Sequence, residues 1–146
     1  MNNERLQIFL AEDNEADVNL VREALREHAV ECDLTVAQDG ANASHYIEDV
    51  AAGRCACPDL FLLDLNLPQT DGHELFALIR QSAACAETPV VILTSSDAPR
   101  DRERAKALGA SFYFRKPSDL LEFFELGSIV LRLVGENRPR HHRAGG

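Results

Sequence analysis

The sequence predicts an α/β domain in which a parallel sheet of five strands carries helices on both faces. Short apolar runs alternate five times with segments whose apolar residues recur at helical spacing. Each of four runs ends in a polar group: Glu12-Asp13, Asp64, Thr94-Ser95-Ser96 and Lys116. The length, 146 residues, suits one core rather than two.

Leu6 to Ala11 reads as the first strand, with Glu12-Asp13-Asn14 as its exit loop and Asn14 as the cap of the next helix. From Glu15 to His28, Val18, Val21 and Leu25 fall on one helical face and Glu and Arg cover the other. Cys32 to Ala37 is a short second strand. Asp39-Gly40 turns into a helix over Ala41 to Ala52, with Tyr46, Ile47 and Val50 inward and Gly53 as its stop. Leu60 to Asp64 is the third strand, and Leu67 to Gly72 a loop in which Gly72 permits a turn or the close approach of a helix. His73 to Ala83 carries Leu75, Phe76, Leu78 and Ile79 as a helical stripe. Pro89 opens the strand Val90 to Leu93, where it costs no interior ladder bond. Pro99 suits the first turn of a charged fourth helix that Gly109 ends. Ser111 to Arg115 is the fifth strand, followed by the loop Lys116-Pro117-Ser118. Ser118 is positioned to cap the last helix, Asp119 to about Val134. The expected organisation is one domain over residues 1–135 and a basic, flexible tail over 136–146.

A formal net charge of -9 argues against direct nucleic-acid binding, which needs a positive face. No apolar run approaches the length of a membrane span, and Met1 to Arg5 has no signal-peptide character. Cys32, Cys55, Cys57 and Cys85 are scattered, and Cys55-Ala56-Cys57 is too tight for a zinc or redox pair. The expectation is a cytoplasmic chain with reduced, structural or incidental thiols and no membrane insertion.

An aspartate among leucines at the end of the third strand is costly unless it is paired or binds a metal. Asp13 and Asp64, with Glu12 beside them, gather oxygens without a ring of arginines. Like charges so close call for a cation, and Mg²⁺ suits carboxylate, carbonyl and water ligands. Lys116, fixed by its neighbouring proline, can pair with Asp64 or hold a phosphoryl oxygen, and Thr94 adds a neutral donor. These groups fit phosphoryl transfer, where positioning and charge neutralisation dominate. Asp64 is the candidate nucleophile because it lies between the acidic loop and Thr94/Lys116.

Taken together, Glu12-Asp13-Asn14, Leu63 to Pro68, Asp71-Gly72, Leu93-Thr94-Ser95, Gly109-Ala110, Tyr113 and Lys116-Pro117 resemble the response regulator receiver domain, the CheY-like family, over residues 6 to 134. The resemblance implies a flavodoxin-like, doubly wound (βα)5 sandwich with sheet order 2-1-3-4-5. It also implies that Glu12, Asp13, Asp64 and the backbone carbonyl of Asn66 hold Mg²⁺. Asp64 becomes the phosphorylated residue, Thr94 and Lys116 assist it, and Thr94 with Tyr113 forms the switch. Glutamate at position 12 departs from the commoner aspartate, and its longer side chain reaches the metal through water. The Asp-Leu-Asn-Leu-Pro run and the Glu-Ala-Asp of the first helix are similar to small stand-alone receivers, including those that work with bacterial phytochrome kinases.

The implied partner is a sensor histidine kinase or phosphotransfer protein. The implied chemistry is limited to phosphoryl acceptance and autodephosphorylation, with Asn66 and Ser96 bordering the attacking water. Output is expected through protein–protein contact. Leu120, Phe124, Ile129 and Leu131 of the very apolar last helix are the candidate interface, for a homodimer or a downstream protein. Two other classes compete. A receiver-like scaffold would bind without phosphorylation. A Mg²⁺-dependent aspartyl-phosphate phosphatase or phosphotransferase would want an acid two residues after Asp64, where Asn66 stands. A flavin-binding domain would find its phosphate repelled by Glu12-Asp13.

Overall fold

The computed structural model describes residues 5–137. Five strands, β1 (Leu6–Ala11), β2 (Cys32–Ala37), β3 (Leu60–Leu63), β4 (Val90–Thr94) and β5 (Phe112–Arg115), form one sheet in the order β2-β1-β3-β4-β5. Every pairing in this sheet is parallel. The helices are α1 (Glu15–Glu27), α2 (Gly40–Ala51), α3 (Gly72–Gln81), α4 (Pro99–Ala107) and α5 (Leu120–Asn137). This is the flavodoxin-like arrangement.

The period-two pleat sorts the strand residues into two cores. Ile8, Leu10, Leu60, Leu62, Val91 and Leu93 pack with α1 and α5. Phe9, Phe61, Leu63, Val90 and Ile92 face the other way, against α2, α3 and Ala105 of α4. With both faces covered, β3 and β4 are buried at every residue, which explains their unbroken apolar runs. On the α1/α5 side Gly127 is obligatory, because a Cβ there would collide with the Ala24 carbonyl and the His28 ring.

Several local expectations are corrected. β3 pairs only as far as Leu63, opposite Ala11, so Asp64 is the first loop residue; its N–H still donates to the Ala11 carbonyl at 3.0 Å. The expected loop after it contains a hairpin, Asn66–Leu67 against Thr70–Asp71, closed by Pro68 and Gln69 with Gln69 at φ 59°. α3 starts at Gly72 and stops at Gln81, and Ala83–Cys85 forms a separate 3-10 turn. Asp119, not Ser118, caps α5 by accepting from the N–H groups of Leu121 and Glu122. That helix runs past the expected boundary to Asn137, and the basic residues from 138 onward lie outside the described residues. Cys57 and Cys85 are joined as a disulfide, contrary to the expectation of reduced thiols, while Cys32 and Cys55 are free. Spacing could not reveal this pair, since only the fold brings the start of β3 to the turn after α3.

Candidate functional site

β1, β3 and β4 run parallel, so their carboxyl ends bring Glu12-Asp13, Asp64 and Thr94 to one edge, and Lys116 follows β5 beside them. Such an edge is the usual ligand crevice of an open α/β sheet. Glu12 and Thr94 are 0% exposed and Asp64 4%, whereas Asp13 is exposed. Carboxylate oxygens of Glu12, Asp13 and Asp64 lie within 4.8 Å of one another. Two are steered by backbone: Glu12 Oε2 accepts from Asn14 N–H at 3.2 Å, and Asp64 Oδ1 from Asn66 N–H at 3.0 Å. Gly72 makes this loop possible, for a Cβ would sit 2.6 Å from Leu65 Cα and 2.7 Å from the Asp64 carbonyl.

Lys116 supplies the countercharge. Its side chain is 9% exposed, with Nζ 2.7 Å from Asp17 Oδ2, 2.8 Å from Glu12 Oε1 and 3.3 Å from Asp64 Oδ2. The contacts with Asp17 and Asp64 are hydrogen bonds, whereas Glu12 Oε1 is paired by charge alone and accepts no hydrogen bond. Burial works against its charge, but the contacts to Asp17 and Glu12 and the charge of Asp64 outweigh it and raise the Lys116 pKa. Burial pushes the Glu12 carboxyl up to about 7; Lys116 opposes the rise and the nearby Asp64 charge adds to it. One ammonium thus stands among four carboxylates, those of Glu12, Asp13, Asp17 and Asp64. The donor set is all oxygen and under-neutralised, which fits a hard divalent cation.

Thr94 Oγ1 accepts from Asn66 Nδ2 and from Ser96 N–H, both at 3.2 Å. Tyr113 lies one strand further, half-buried, its hydroxyl donating to the Ser96 carbonyl at 3.0 Å and its ring 4.3 Å beneath the Arg102 guanidinium. Asp64, Thr94, Lys116, Glu12, Asp13 and Asn66 therefore meet at one edge of the sheet, and Tyr113 joins them through Ser96. The expected interface residues separate. Leu120 and Leu131 are 53% and 42% exposed, Phe124 is half-buried against the core, and Ile129 belongs to the core itself. Ile129 is thus corrected from a surface position, because α5 turns that face onto α1 and the sheet. Leu121, at 74% the most exposed large apolar side chain among the described residues, is absent from that expected set.

Asp17 was also missed. The only signal was its place three residues after Asn14, whose side chain accepts from the Asp17 N–H at 3.0 Å, so that it projects from the first turn of α1. Asp71, expected in a loop, and His73, expected at the start of the third helix, carry no site role in the sequence reading, yet they join α3 to α4. Asp71 Oδ1 lies 3.0 Å from His73 Nδ1, and its Oδ2 accepts from Arg104 Nη2 at 3.2 Å. The Asp71 carboxyl is partly desolvated, but its bonds from the His73 N–H, the His73 ring and Arg104 prevail and hold its pKa below the usual carboxylate range.

Residues 8–126 match the response regulator receiver domain. The chain is 34% identical over 120 residues to the response regulator Rcp1 of Synechocystis sp., covering 82% of each chain. Its structure is similar to that of the phosphorylated cyanobacterial phytochrome response regulator RcpA, with a TM-score of 0.81 and 32% identity over 91% of this chain and 96% of that one. It is also similar to the Mn²⁺-bound form of Rcp1, with a TM-score of 0.78 and 31% identity over 92% and 97% of the two chains. An acidic edge with a buried aspartate and a half-buried lysine, on this sheet order and with this match across most of the chain, makes the protein a member of the response regulator receiver family of two-component systems.

Proposed function

We propose that this receiver accepts a phosphoryl group on Asp64 from the histidine of a sensor kinase or phosphotransfer protein and signals through altered protein–protein contact. The single observation that carries the reading is the environment of Asp64. It is a buried carboxylate 3.3 Å from the half-buried Lys116 ammonium, which it shares with Glu12 and Asp17, while Asp13 stands beside it with no cation of its own within ion-pair distance. Glu12, Asp13, Asp64 and the backbone carbonyl of Asn66 would hold Mg²⁺. When bound, the ion supplies charge neutralisation for the incoming phosphoryl oxygens.

The chain's own residues do the rest. One Asp64 oxygen bonds to phosphorus as the P–N bond to the donor imidazole breaks, and the imidazole leaves with the electron pair and takes up a proton. Lys116 turns N–H donors from the carboxylates to the phosphoryl oxygens. Thr94 exchanges its contacts with Asn66 and Ser96 for a hydrogen bond donated to the same group, which frees Ser96 and hence Tyr113 to move. Asn66 and Ser96 border the approach of the water that later hydrolyses the acyl phosphate. The new charge biases a two-state element at the α4–β5–α5 surface.

Phe112, Leu120, Leu121 and Leu131 are the large hydrophobic residues left exposed there and on α5. We place a homodimer or downstream-partner contact on Leu120 and Leu131. No helix among the described residues is long and apolar enough to cross a membrane, in keeping with action in the cytoplasm; the Cys57–Cys85 bridge is the feature that a reducing compartment would challenge.

The test is incubation with acetyl phosphate, with and without Mg²⁺, followed by intact mass. A Mg²⁺-dependent gain of one phosphoryl group, absent in Asp64→Asn, is expected. Retained labelling in Asp64→Asn would remove Asp64 as acceptor. For the contact on α5, sedimentation of the Leu120→Gln/Leu131→Gln double variant against wild type should show loss of association. Identical sedimentation would rule it out.

A further inference from the structure

α4 is the least packed helix of the domain. Of its nine residues only Ala105 is buried, and its N-cap, Ala98, offers no side-chain acceptor. Most helices in proteins are held by the burial of an apolar face. This one has almost none, so its position rests on polar contacts.

In the first turn of α4, His73 Nε2 lies 3.3 Å from the Asp101 carbonyl, and from its last turn Arg104 reaches Asp71. The His73 side chain is 3% exposed, and each ring nitrogen faces an oxygen, Asp71 Oδ1 on one side and the Asp101 carbonyl on the other. Ser96 Oγ donates to Asp101 Oδ2 at 2.6 Å. At the C-terminal end, Arg80 donates to the carbonyls of Leu108 and Gly109 at 3.1 and 3.0 Å. Those carbonyls have no continuing helix to bond, so the guanidinium satisfies them directly.

The two ends differ in what they touch. Arg80 also donates to the carbonyls of Cys85 and Thr88, on the side of the domain away from Asp64. The N-terminal half instead meets Ser96, whose N–H bonds Thr94 and whose carbonyl accepts from Tyr113. A displacement of Thr94 therefore reaches the first turn of α4 through Ser96 and Asp101, while the last turn stays tied to the bulk of the domain.

We propose that Asp71, His73 and Arg104 form a clasp that holds α4 in its resting position, His73 at the first turn and Arg104 at the last, with Arg80 as the pivot beyond the helix end, and that this clasp opposes the shift of Thr94 and Ser96 toward a phosphoryl group on Asp64. The proposal rests on the reading of Asp64 as acceptor. His73 is a positioning residue: it acts through α4 and touches none of the reacting atoms. Linkage fixes the sign of its effect. A contact that stabilises the resting arrangement weakens, by the same factor, the binding of a group that favours the other. Loosening the clasp must therefore tighten that binding.

Two variants attack the clasp from opposite sides. His73→Leu fills the slot of the ring without its nitrogens, and Arg104→Ala removes a half-exposed partner with little risk to folding. Beryllofluoride affinity at saturating Mg²⁺, read by calorimetry, is expected to rise roughly 3- to 10-fold in each, the worth of one or two hydrogen bonds. His73→Gln, which keeps a polar reach, should fall nearer wild type. Hydrogen exchange without beryllofluoride should quicken in the α4 amides and stay unchanged in α3. A merely structural role would weaken beryllofluoride binding or leave it alone. Unchanged or weaker binding in folded Arg104→Ala and His73→Leu overturns the proposal, as does unaltered α4 exchange. If His73→Leu fails to fold, Arg104→Ala decides. If wild type itself ignores beryllofluoride, the assignment of Asp64 falls, and the clasp is judged on hydrogen exchange alone.

Discussion

β3 and α4 both belong to the neighbourhood of Asp64 and are held in opposite ways. Every residue of β3 is buried, and its neighbours β1 and β4 fix it on both sides. α4 buries one alanine and is otherwise tied down by ion pairs, hydrogen bonds and an arginine over a tyrosine ring. Apolar packing is dense and resists partial displacement. Polar surface contacts are individually weak and exchange readily. The contrast assigns the roles: the sheet holds Asp64 and the backbone of Thr94 in place, and the loosely attached helix is the part able to follow a movement of the Thr94 side chain and Ser96.

The largest effect should come from cutting into the packed half. Phe61→Ala removes a fully buried ring that meets Phe9 edge-on at 5.8 Å, and should cost about 3–5 kcal/mol in chemical denaturation. A cost below about 1 kcal/mol would mean that the central strands are not the rigid half. Lys116→Met comes next. Without the ammonium, Glu12, Asp17 and Asp64 face one another uncompensated, so the metal-free protein should lose about 3 kcal/mol, and Mg²⁺ should restore much of it. Absence of any Mg²⁺ rescue would contradict the cation site.

Gly72→Ala should cost about 1–3 kcal/mol and disturb the Asp64 loop, because the new Cβ meets backbone on two sides. Full stability together with unchanged Mg²⁺ affinity would show that the loop can yield. The pH prediction is smaller. Glu12 has a folded pKa of about 7 against an ordinary 4.5, so the folded state holds the extra proton between those values. Its favourable contribution is complete below 4.5 and is lost as pH rises through 7 in metal-free protein. The stability difference between wild type and Glu12→Gln should shift against wild type across that window. A flat difference would mean that Lys116 keeps Glu12 ionised throughout. Smallest of all, Arg100→Ala on the exposed face of α4 should change stability by less than about 0.5 kcal/mol.

The same contrast explains which parts were readable from sequence. β3 and β4, and β1 beyond Gln7, are legible because a strand covered on both faces must be apolar. Asp64, Thr94 and Lys116 were legible because each interrupts or ends such a run, where a polar residue needs a reason. Nothing comparable marks contacts between distant segments. Asp17 meets Lys116 across 99 positions, and Arg104 meets Asp71 across 33, so only the folded chain makes them partners. Cys57 and Cys85 are 28 residues apart and carry no spacing signature. On α5, hydrophobic excess was visible but its direction was not. Ile129 faces the core while Leu121 and Leu131 face outward, a division set by where α1 and the sheet lie.

The central claim is that Asp64 is a phosphoryl acceptor served by an oxygen-liganded cation and Lys116. Its most direct measurement is the intact mass of wild type and Asp64→Asn after incubation with acetyl phosphate, each with Mg²⁺ and with chelator. A single phosphoryl adduct in wild type with Mg²⁺, and none in the other three samples, is the predicted result. Equal labelling of Asp64→Asn, or no adduct on folded wild-type protein with Mg²⁺, would contradict it.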